Sequence, residues 1–217
     1  MTDFDRARKL MVDNQLRTSG ITDRRLLTAM GEVPREQFVP DVRKPLAYID
    51  EALAVGGSRK LGAPAPFAKL VQLAAIEHSD RVLDLGCGTG YSAAVLARLA
   101  QQVVAVESDA GLAATARASL AALGVTNAVI VEGPLETAAR SKGPFDVIVV
   151  EGVIAEVSDA LFAQLAPEGR LVALIGQRGK PAVAHLFARS GKGIAAQAAF
   201  DASLPPLAAK GEESFIF

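Results

Sequence analysis

The chain has 217 residues, of which 50% are hydrophobic and 22% charged. This is the composition of an ordinary soluble globular protein and excludes a disordered or low-complexity segment. Its 23 basic and 24 acidic side chains leave a net charge of −1, which argues against nucleic-acid binding, since non-specific binders carry a clear positive excess. Charged residues interrupt every apolar run before the roughly 18 residues that a membrane span needs.

Cysteine and histidine are scarce in this sequence. The single cysteine, Cys87, excludes an intrachain disulfide and a cysteine-based zinc site. With His78 and His185 as the only histidines, a multi-histidine metal site is not expected either. Residues 1–8 mix both charges and lack the apolar stretch of a secretory signal. We therefore expect a cytoplasmic protein with no bound metal.

Residues 1–79 combine helical patterns with turn signals. Apolar residues at helical spacing predict three helices. The first runs from a cap at Asp3 to about Arg17, the second follows a cap at Thr22 or Asp23, and the third covers about Pro66–Ile76. Prolines at 34, 40 and 45 predict a loop-rich stretch, and paired glycines predict a flexible segment over Val55–Pro66. We expect residues 1–79 to form a helical cap that also carries a substrate loop.

From residue 80 onward, short apolar runs alternate with helical stretches. The predicted strands are Val82–Leu85, Val103–Val106, Ala128–Val131, Val147–Val150 and Leu171–Ile175, followed by Ala182–Ala188, Ile194–Phe200 and Ser214–Phe217. The predicted helices are Ser92–Ala100, Ala110–Leu123, Leu135–Arg140 and Val157–Leu165. Continuous Val, Ile and Leu runs between helices indicate a parallel sheet covered on both faces. Residues 80–217 are therefore predicted to form a doubly wound α/β domain with antiparallel additions at its end.

The clearest functional signal is the loop after the first strand of that domain. Asp84 is followed by glycines at positions 86, 88 and 90, and a helix opens directly afterwards. Glycines at such a turn let a ligand approach the backbone, and doubly wound sheets bind ligands at this edge. A dinucleotide loop reads G-x-G-x-x-G, whereas here the third glycine, Gly90, comes one residue early. The negative charge of Asp84 suits a cationic ligand better than a phosphate, which makes a nicotinamide-dependent dehydrogenase a weaker interpretation of this loop. A tight turn that binds no ligand is the simpler alternative.

Two further residues belong to this signal. Glu107 ends the second strand, about 20 residues beyond Gly86, where doubly wound folds place the acid that binds ribose hydroxyls. A solvated acid at a strand end is the alternative interpretation. Cys87 lies inside the loop without a nearby base, so we interpret it as a small loop residue rather than a nucleophile.

The segment Asp84-Leu85-Gly86-Cys87-Gly88-Thr89-Gly90 resembles motif I of the class I S-adenosylmethionine-dependent methyltransferases. The resemblance implies S-adenosylmethionine as the cofactor and a Rossmann-like fold. It also implies that Glu132, with Gly133, meets the adenine amino group. Glu151 would meet the methionine ammonium or the substrate, with a solvated loop acid as the alternative for both glutamates. The implied cofactor residues are Asp84, Gly86, Cys87, Gly88, Gly90, Glu107, Ser108, Glu132, Gly133 and Glu151.

A wider resemblance covers residues 8–176. The stretches Met11-Val12-Asp13-Asn14-Gln15-Leu16-Arg17, Val33-Pro34-Arg35-Glu36-Gln37-Phe38-Val39-Pro40 and Gly143-Pro144-Phe145-Asp146-Val147-Ile148 are similar to the protein-L-isoaspartate O-methyltransferases. The family resemblance implies methyl transfer to an isoaspartyl carboxylate of a protein or peptide. A methyltransferase with another acceptor, and a catalytically weak cofactor-binding module, remain open alternatives.

One loop departs from the family pattern. Typical members carry Thr-Ile-Ser-x-Pro before the helix that precedes motif I. Here Pro64 keeps the proline, but Lys60 falls at the threonine and Gly62 at the serine, so the hydroxyl is absent. Arg59 or Lys60 could hold an acidic substrate instead, and a solvated pair is the equally weighted alternative.

Overall fold

A computed structural model describes residues 2–176 and 181–207. The predicted strand Ser214–Phe217 lies outside the described residues. The elements before the main sheet are α1 (Asp3–Met11), which continues as a π-helix over Val12–Leu16, α2 (Arg24–Glu32), β1 (Leu53–Gly56), β2 (Arg59–Leu61) and α3 (Pro64–Ala74). Two 3₁₀ helices, Arg35–Phe38 and Asp41–Leu46, occupy the proline-rich stretch.

Side-chain caps define where the first two helices begin. Asp23 caps α2 by accepting hydrogen bonds from the backbone N–H groups of Arg25 and Leu26, which confirms one of the two predicted caps. The predicted cap of the first helix, Asp3, was wrong. Thr2 caps α1 in a reciprocal pair with Asp5, because an acid three residues after a threonine can return a hydrogen bond to the threonine N–H.

The segment predicted to be flexible contains a β-hairpin. Strands β1 and β2 run antiparallel, with Leu53 opposite Leu61, and Leu53 and Val55 point into the core. The glycine pair signals the turn, but strands of four and three residues are too short to show an alternation of their own. Helix α3 then begins at Pro64, two residues before the prediction, where a proline's fixed φ and missing N–H suit the first helical turn.

A seven-stranded sheet forms the centre of the molecule, with strand order β5-β4-β3-β6-β7-β8-β9. Its strands are β3 (Arg81–Leu85), β4 (Gln102–Glu107), β5 (Ala128–Glu132), β6 (Phe145–Ile154), β7 (Leu165–Ile175), β8 (Ala182–Ser190) and β9 (Gly193–Ala202). Strands β3 to β7 are parallel, and β8 and β9 add antiparallel to them. The predicted fold class, a doubly wound and mostly parallel sheet with antiparallel additions, is confirmed.

The helices of this part are α4 (Tyr91–Leu96), α5 (Ala110–Ala122) and α6 (Asp159–Phe162). The predicted helix Leu135–Arg140 was wrong, since that stretch forms turns and a single 3₁₀ turn over Arg140–Lys142. The turns are held by the Pro134 carbonyl, which accepts hydrogen bonds from the N–H groups of both Thr137 and Ala138. The carbonyl of Glu136 instead accepts a hydrogen bond from the Gln164 side chain.

Both faces of the sheet are covered by apolar side chains. One face shares a continuous core with the N-terminal helices, in which Leu26, Met30 and Phe67 join Val82 and Val149. The other face packs around Phe145 and Ile148. The division into residues 1–79 and 80–217 stays a prediction. Of the helices within the described ranges, none is both long and apolar enough to cross a bilayer.

Candidate functional site

The carboxyl ends of β3 and β4 lie side by side, since Leu85 pairs with Val106 in parallel register. The chain leaves β3 through Gly86 and Gly88, both with positive φ (83° and 56°), a conformation that residues with a Cβ rarely adopt. A Cβ at Gly88 would meet no atom within 4 Å, so the loop leaves open space on that side. The Gly88 N–H points at the neighbouring strand end and donates to Glu107 Oε2 at 2.8 Å.

Glu107 is fully buried and accepts four hydrogen bonds of 3.1 Å or shorter, beside a longer one of 3.5 Å from Ser108 Oγ. Its Oε1 accepts from the backbone N–H groups of Ser108 (2.9 Å) and Asp109 (3.1 Å). Its Oε2 accepts from Gly88 N–H and from Arg59 Nη2 at 3.0 Å. These fixed donors replace the water that the carboxylate loses on burial. The solvated alternative for Glu107 is wrong.

Two further acids lie at this edge, Asp84, which is fully buried, and Glu151, which is partly buried. Asp84 Oδ2 accepts a hydrogen bond from Ser92 Oγ at 2.7 Å, but Asp84 Oδ1 and Glu151 Oε1 are buried without a partner among the described residues. Burial raises the pKa of Asp84 to about 7, against the lowering effect of the Ser92 hydrogen bond. Burial, and then the Asp84 charge, raise the pKa of Glu151 well above its ordinary value. Unpartnered buried carboxyl oxygens are costly, and a cationic ligand would satisfy them.

The remaining residues assigned to the cofactor differ in exposure. Cys87 is buried, and burial raises the pKa of its thiol, so the protonated form is favoured. Glu132 lies opposite Glu107 at the end of β5, but its side chain is half exposed and lies 3.7 Å from Arg117. Gly133 N–H donates to the Glu107 carbonyl at 3.1 Å. Gly90 has φ of 96°, and a Cβ there would lie 3.2 Å from Ala116 Cα, so this glycine lets α5 approach the loop.

The substrate loop lies beside these strand ends. Lys60 is exposed on β2, whereas Arg59 turns inward, with 13% of its side chain exposed, and donates to Gly86 O at 2.8 Å and to Glu107. Pro64 opens α3 at the far end of the loop. The structure therefore brings Arg59 into the predicted cofactor site, and Lys60 remains at the surface.

Gly62 is held between two residues that the sequence did not single out. Its carbonyl accepts a hydrogen bond from the buried Arg35 at 2.5 Å. On its other side, a Cβ at Gly62 would lie 2.7 Å from Leu204 Cδ2. Gly62 does not have a positive φ, so its backbone accepts a side chain. The space that a serine side chain needs is instead taken by leucine.

The segment 204–207 is the main part of the site that the sequence analysis missed. It pairs with the end of β6 through hydrogen bonds from Val153 N–H to Pro205 O (3.0 Å) and from Leu207 N–H to Val153 O (3.1 Å). Leu207 packs against Gly86, where a Cβ would overlap its Cδ1. Two adjacent prolines signal an extended segment, but nothing local indicates which strand it joins.

An apolar cavity of about 320 Å³ adjoins this segment, lined by residues that include Leu85, Leu135, Val150, Ile154 and Leu207. No group of three metal-ligating side chains occurs among residues 2–176 and 181–207. A glycine loop, a buried acid on the next strand and unpartnered carboxyl oxygens at the carboxyl edge of a doubly wound sheet define a nucleoside-binding protein whose ligand carries positive charge.

Comparisons with known proteins agree with that class. The family model of the protein-L-isoaspartate(D-aspartate) O-methyltransferases matches residues 6–204. A protein-L-isoaspartate O-methyltransferase of Koribacter versatilis is 43% identical over 80% of this chain and 77% of its own length. One of Methylorubrum extorquens is 42% identical over 84% of this chain and 80% of its own. The chain belongs to the protein-L-isoaspartate(D-aspartate) O-methyltransferase family.

Two solved structures share the fold. One, named protein-L-isoaspartate O-methyltransferase, superposes with a TM-score of 0.79 at 24% identity, and the match covers 93% of this chain and 65% of that one. The other, a β-aspartate methyltransferase from Plasmodium falciparum solved with S-adenosyl-L-homocysteine, has a TM-score of 0.78 at 22% identity and coverage of 93% and 98%.

Proposed function

We propose that this protein transfers a methyl group from S-adenosylmethionine to the carboxylate of an isoaspartyl residue in a protein or peptide. The observation that carries the proposal is the pair of buried, unpartnered carboxyl oxygens beside the glycine loop, in a chain of this family. Asp84 Oδ1 and Glu151 Oε1 are buried acceptors without partners, and S-adenosylmethionine brings an ammonium and a sulfonium. The residues present therefore fit the cofactor.

The proposed cofactor residues act at three places. Asp84 and Glu151 would hold positive charge, and Glu107 would bind the ribose hydroxyls. The glycines at 86, 88 and 90 would leave room for the ligand against the backbone, with Cys87 and Ser108 beside them. Glu132 and Gly133 would lie on the adenine side. Glu132 has the weakest support of these, since its half-exposed carboxylate already faces Arg117.

The reaction requires little proton transfer by side chains of the protein. When bound, the cofactor supplies a methyl group on a sulfonium, and transfer leaves a thioether and a methyl ester. The isoaspartyl carboxyl group, with an ordinary pKa near 4, is already ionised at pH 7, so no side chain must act as a general base. The protein's task is to orient the carboxylate, which is worth up to about 7–11 kcal/mol in favourable cases.

A methyltransferase with another acceptor is the second candidate. The observation that favours it is Gly62, which has no hydroxyl to orient a carboxylate and whose neighbouring space is filled by Leu204. For an isoaspartyl carboxylate, Arg59 would supply the substrate contact, whereas Lys60 is exposed on β2 and would stay in solvent. The identity of the protein substrates is part of the proposal, and a cytoplasmic location stays a prediction from the sequence.

Transfer of labelled methyl groups to an isoaspartyl peptide, beside the same peptide with a normal aspartyl residue, tests the proposal. We expect label in the isoaspartyl peptide only. Calorimetry with S-adenosylhomocysteine belongs to the same experiment. Cofactor binding without transfer to the isoaspartyl peptide would favour the second candidate, and failure to bind would contradict both.

A further inference from the structure

The carboxylate of Glu107 has no room for another hydrogen bond. A carboxylate offers about four acceptor positions. Glu107 fills four with hydrogen bonds of 3.1 Å or shorter, from Ser108 and Asp109 N–H on one oxygen and from Gly88 and Arg59 on the other, and Ser108 Oγ adds a longer contact of 3.5 Å. Three of these donors are backbone N–H groups of the loops that form the site. Ribose hydroxyls can therefore be accepted only after a donor leaves, and Arg59 is the donor that a side-chain rotation can remove.

Arg59 also holds the chain closed over the glycine loop. Its Nη2 donates to Gly86 O at 2.8 Å, and its Nη1 donates to Leu207 O. A Cβ at Gly86 would lie 2.7 Å from Arg59 Nη2 and would overlap Leu207 Cδ1. The guanidinium and the leucine thus lie together on the backbone that a ligand of this loop must reach.

We propose that Arg59 is an exchangeable cation that closes the cofactor site in the free protein and moves to the substrate carboxylate once Glu107 is engaged. This inference rests on the proposed function. It adds a positioning residue and an order of binding, in which the cofactor comes first.

The direction of the exchange follows from where Arg59 lies. It is three residues from Gly62 on the hairpin strand β2, so it borders both the glycine loop and the substrate loop. A guanidinium released from Glu107 has lost a charged partner, and a carboxylate replaces that partner in the geometry that arginine prefers. Lys60 points to solvent from the same strand, which makes it a matched control.

The first test is binding of S-adenosylhomocysteine to the wild type, Arg59→Met and Lys60→Met, measured by calorimetry. Removing the competing donor should tighten binding about tenfold in Arg59→Met, a difference of about 1.4 kcal/mol. Lys60→Met should bind as the wild type does. Unchanged or weaker binding by a folded Arg59→Met would overturn the proposal.

A second variant guards against failure of Arg59→Met to fold. Leu207→Ala leaves the Arg59–Glu107 ion pair in place and removes the apolar cover of Gly86, so it should tighten binding of S-adenosylhomocysteine about two- to threefold, which is less than a full hydrogen bond to a charged group. Wild-type affinity in this variant would show that the segment 204–207 does not close the site.

The second test is binding of a fluorescent isoaspartyl peptide, with and without saturating S-adenosylhomocysteine. The wild type should bind the peptide at least about fivefold more tightly with S-adenosylhomocysteine, the lower end of ordinary coupling between sites. In Arg59→Met this coupling should vanish, whereas Lys60→Met should keep it. Equal peptide affinity in both conditions would overturn the order of binding. If the proposed function fails, the wild type would bind no isoaspartyl peptide under either condition. The first test would still show whether Arg59 exchanges, because it measures binding of S-adenosylhomocysteine alone.

Discussion

Two buried carboxyl groups on neighbouring strands, those of Glu107 and Asp84, differ in the number of hydrogen-bond donors around them. Glu107 is surrounded by four donors, whereas Asp84 has one, Ser92, and leaves Oδ1 without a partner. A buried acid with few donors favours its protonated form. Under the proposed function, Glu107 would accept ribose hydroxyls after Arg59 leaves, and Asp84 would hold a positive charge.

The pH dependence of stability should reveal Asp84. Its folded-state pKa of about 7 lies above the ordinary value of 3.8, so the folded protein retains a proton that the unfolded chain has lost between these values. Stability from this group is present below about pH 4 and is lost as the pH rises toward 7. The side chain of Asp84→Asn cannot ionise. As the pH rises from about 4 to 7, the free energy of unfolding of this variant should therefore increase relative to that of the wild type by up to about 1.4 kcal/mol per pH unit.

Urea unfolding at pH 5, 6 and 7 measures this difference. Asp201→Asn on the exposed edge strand β9 is the control, and its curve should run parallel to that of the wild type. A parallel curve for Asp84→Asn as well would show that Asp84 ionises freely in the folded protein.

At the scale of the elements, the glycine loop can be tested against a turn of similar backbone geometry. Gly88 and Gly124 have φ of 56° and 65°, and a Cβ at either would meet no atom within 4 Å. Valine should strain both positions by roughly 1–2 kcal/mol. Only Gly88→Val should also abolish binding of S-adenosylmethionine in calorimetry, because its side chain would enter the cofactor space. Equal binding by both variants would remove the glycine loop from the site.

The contact between the substrate loop and the C-terminal segment leads to a second prediction. Gly62→Ser would restore a hydroxyl, and one hydrogen bond to a charged partner is worth up to about 3 kcal/mol, or roughly 150-fold in rate. Because a Cβ at Gly62 meets Leu204 Cδ2, the single variant should gain less than Gly62→Ser combined with Leu204→Ala.

Steady-state kinetics on an isoaspartyl peptide compare these variants, with Leu204→Ala alone as the control for loosened packing. An equal gain from Leu204→Ala would assign the effect to space rather than to the hydroxyl. If the wild type already turns over as fast as members that carry the serine, the missing hydroxyl is irrelevant to catalysis.

At the scale of the whole molecule, Arg170 ties the sheet to the N-terminal elements. From β7 it donates to the carbonyls of Ala74 and Ala75 at the end of α3, and to Asp80 at 2.7 Å. The Arg170 and Asp80 side chains are 22% and 10% exposed. Arg170→Ala should therefore cost about 2–4 kcal/mol, slightly less than for a fully buried pair.

Chemical denaturation followed by circular dichroism measures that cost. Arg98→Ala breaks a more exposed pair with Glu32 and should cost less than about 1 kcal/mol. A cost for Arg170→Ala no larger than that of the control would contradict the tie between α3 and β7.

The shared core leads to a prediction about cooperativity. Side chains of α2 and α3 lie in one apolar cluster with those of β3 and β6, so residues 1–79 and the sheet should unfold in a single transition. Circular dichroism and tyrosine fluorescence should then give coincident urea curves. Two separate transitions would show that the cap is an independent unit.

The local sequence alone determined the parallel sheet, the glycine loop and the strand-end acid Glu107. Buried parallel strands must be continuously apolar, and a turn that a ligand approaches must be glycine-rich, so both features are written in neighbouring residues. Motif similarity likewise indicated the family and the altered loop at Lys60 and Gly62. The short hairpin β1–β2 was not predicted because its strands are too short to show an alternating apolar pattern.

Only the tertiary structure decided which distant residues meet at the carboxyl ends of β3 and β4. Arg59 meets Glu107 across 48 residues and Leu207 across 148, and the segment 204–207 joins β6 from the far end of the chain. Such contacts arise from how distant elements pack, and no local periodicity encodes them. The same reason explains the raised pKa of Asp84, which depends on burial, on the Ser92 hydrogen bond and on the nearby charge of Glu107, all of which the completed fold places.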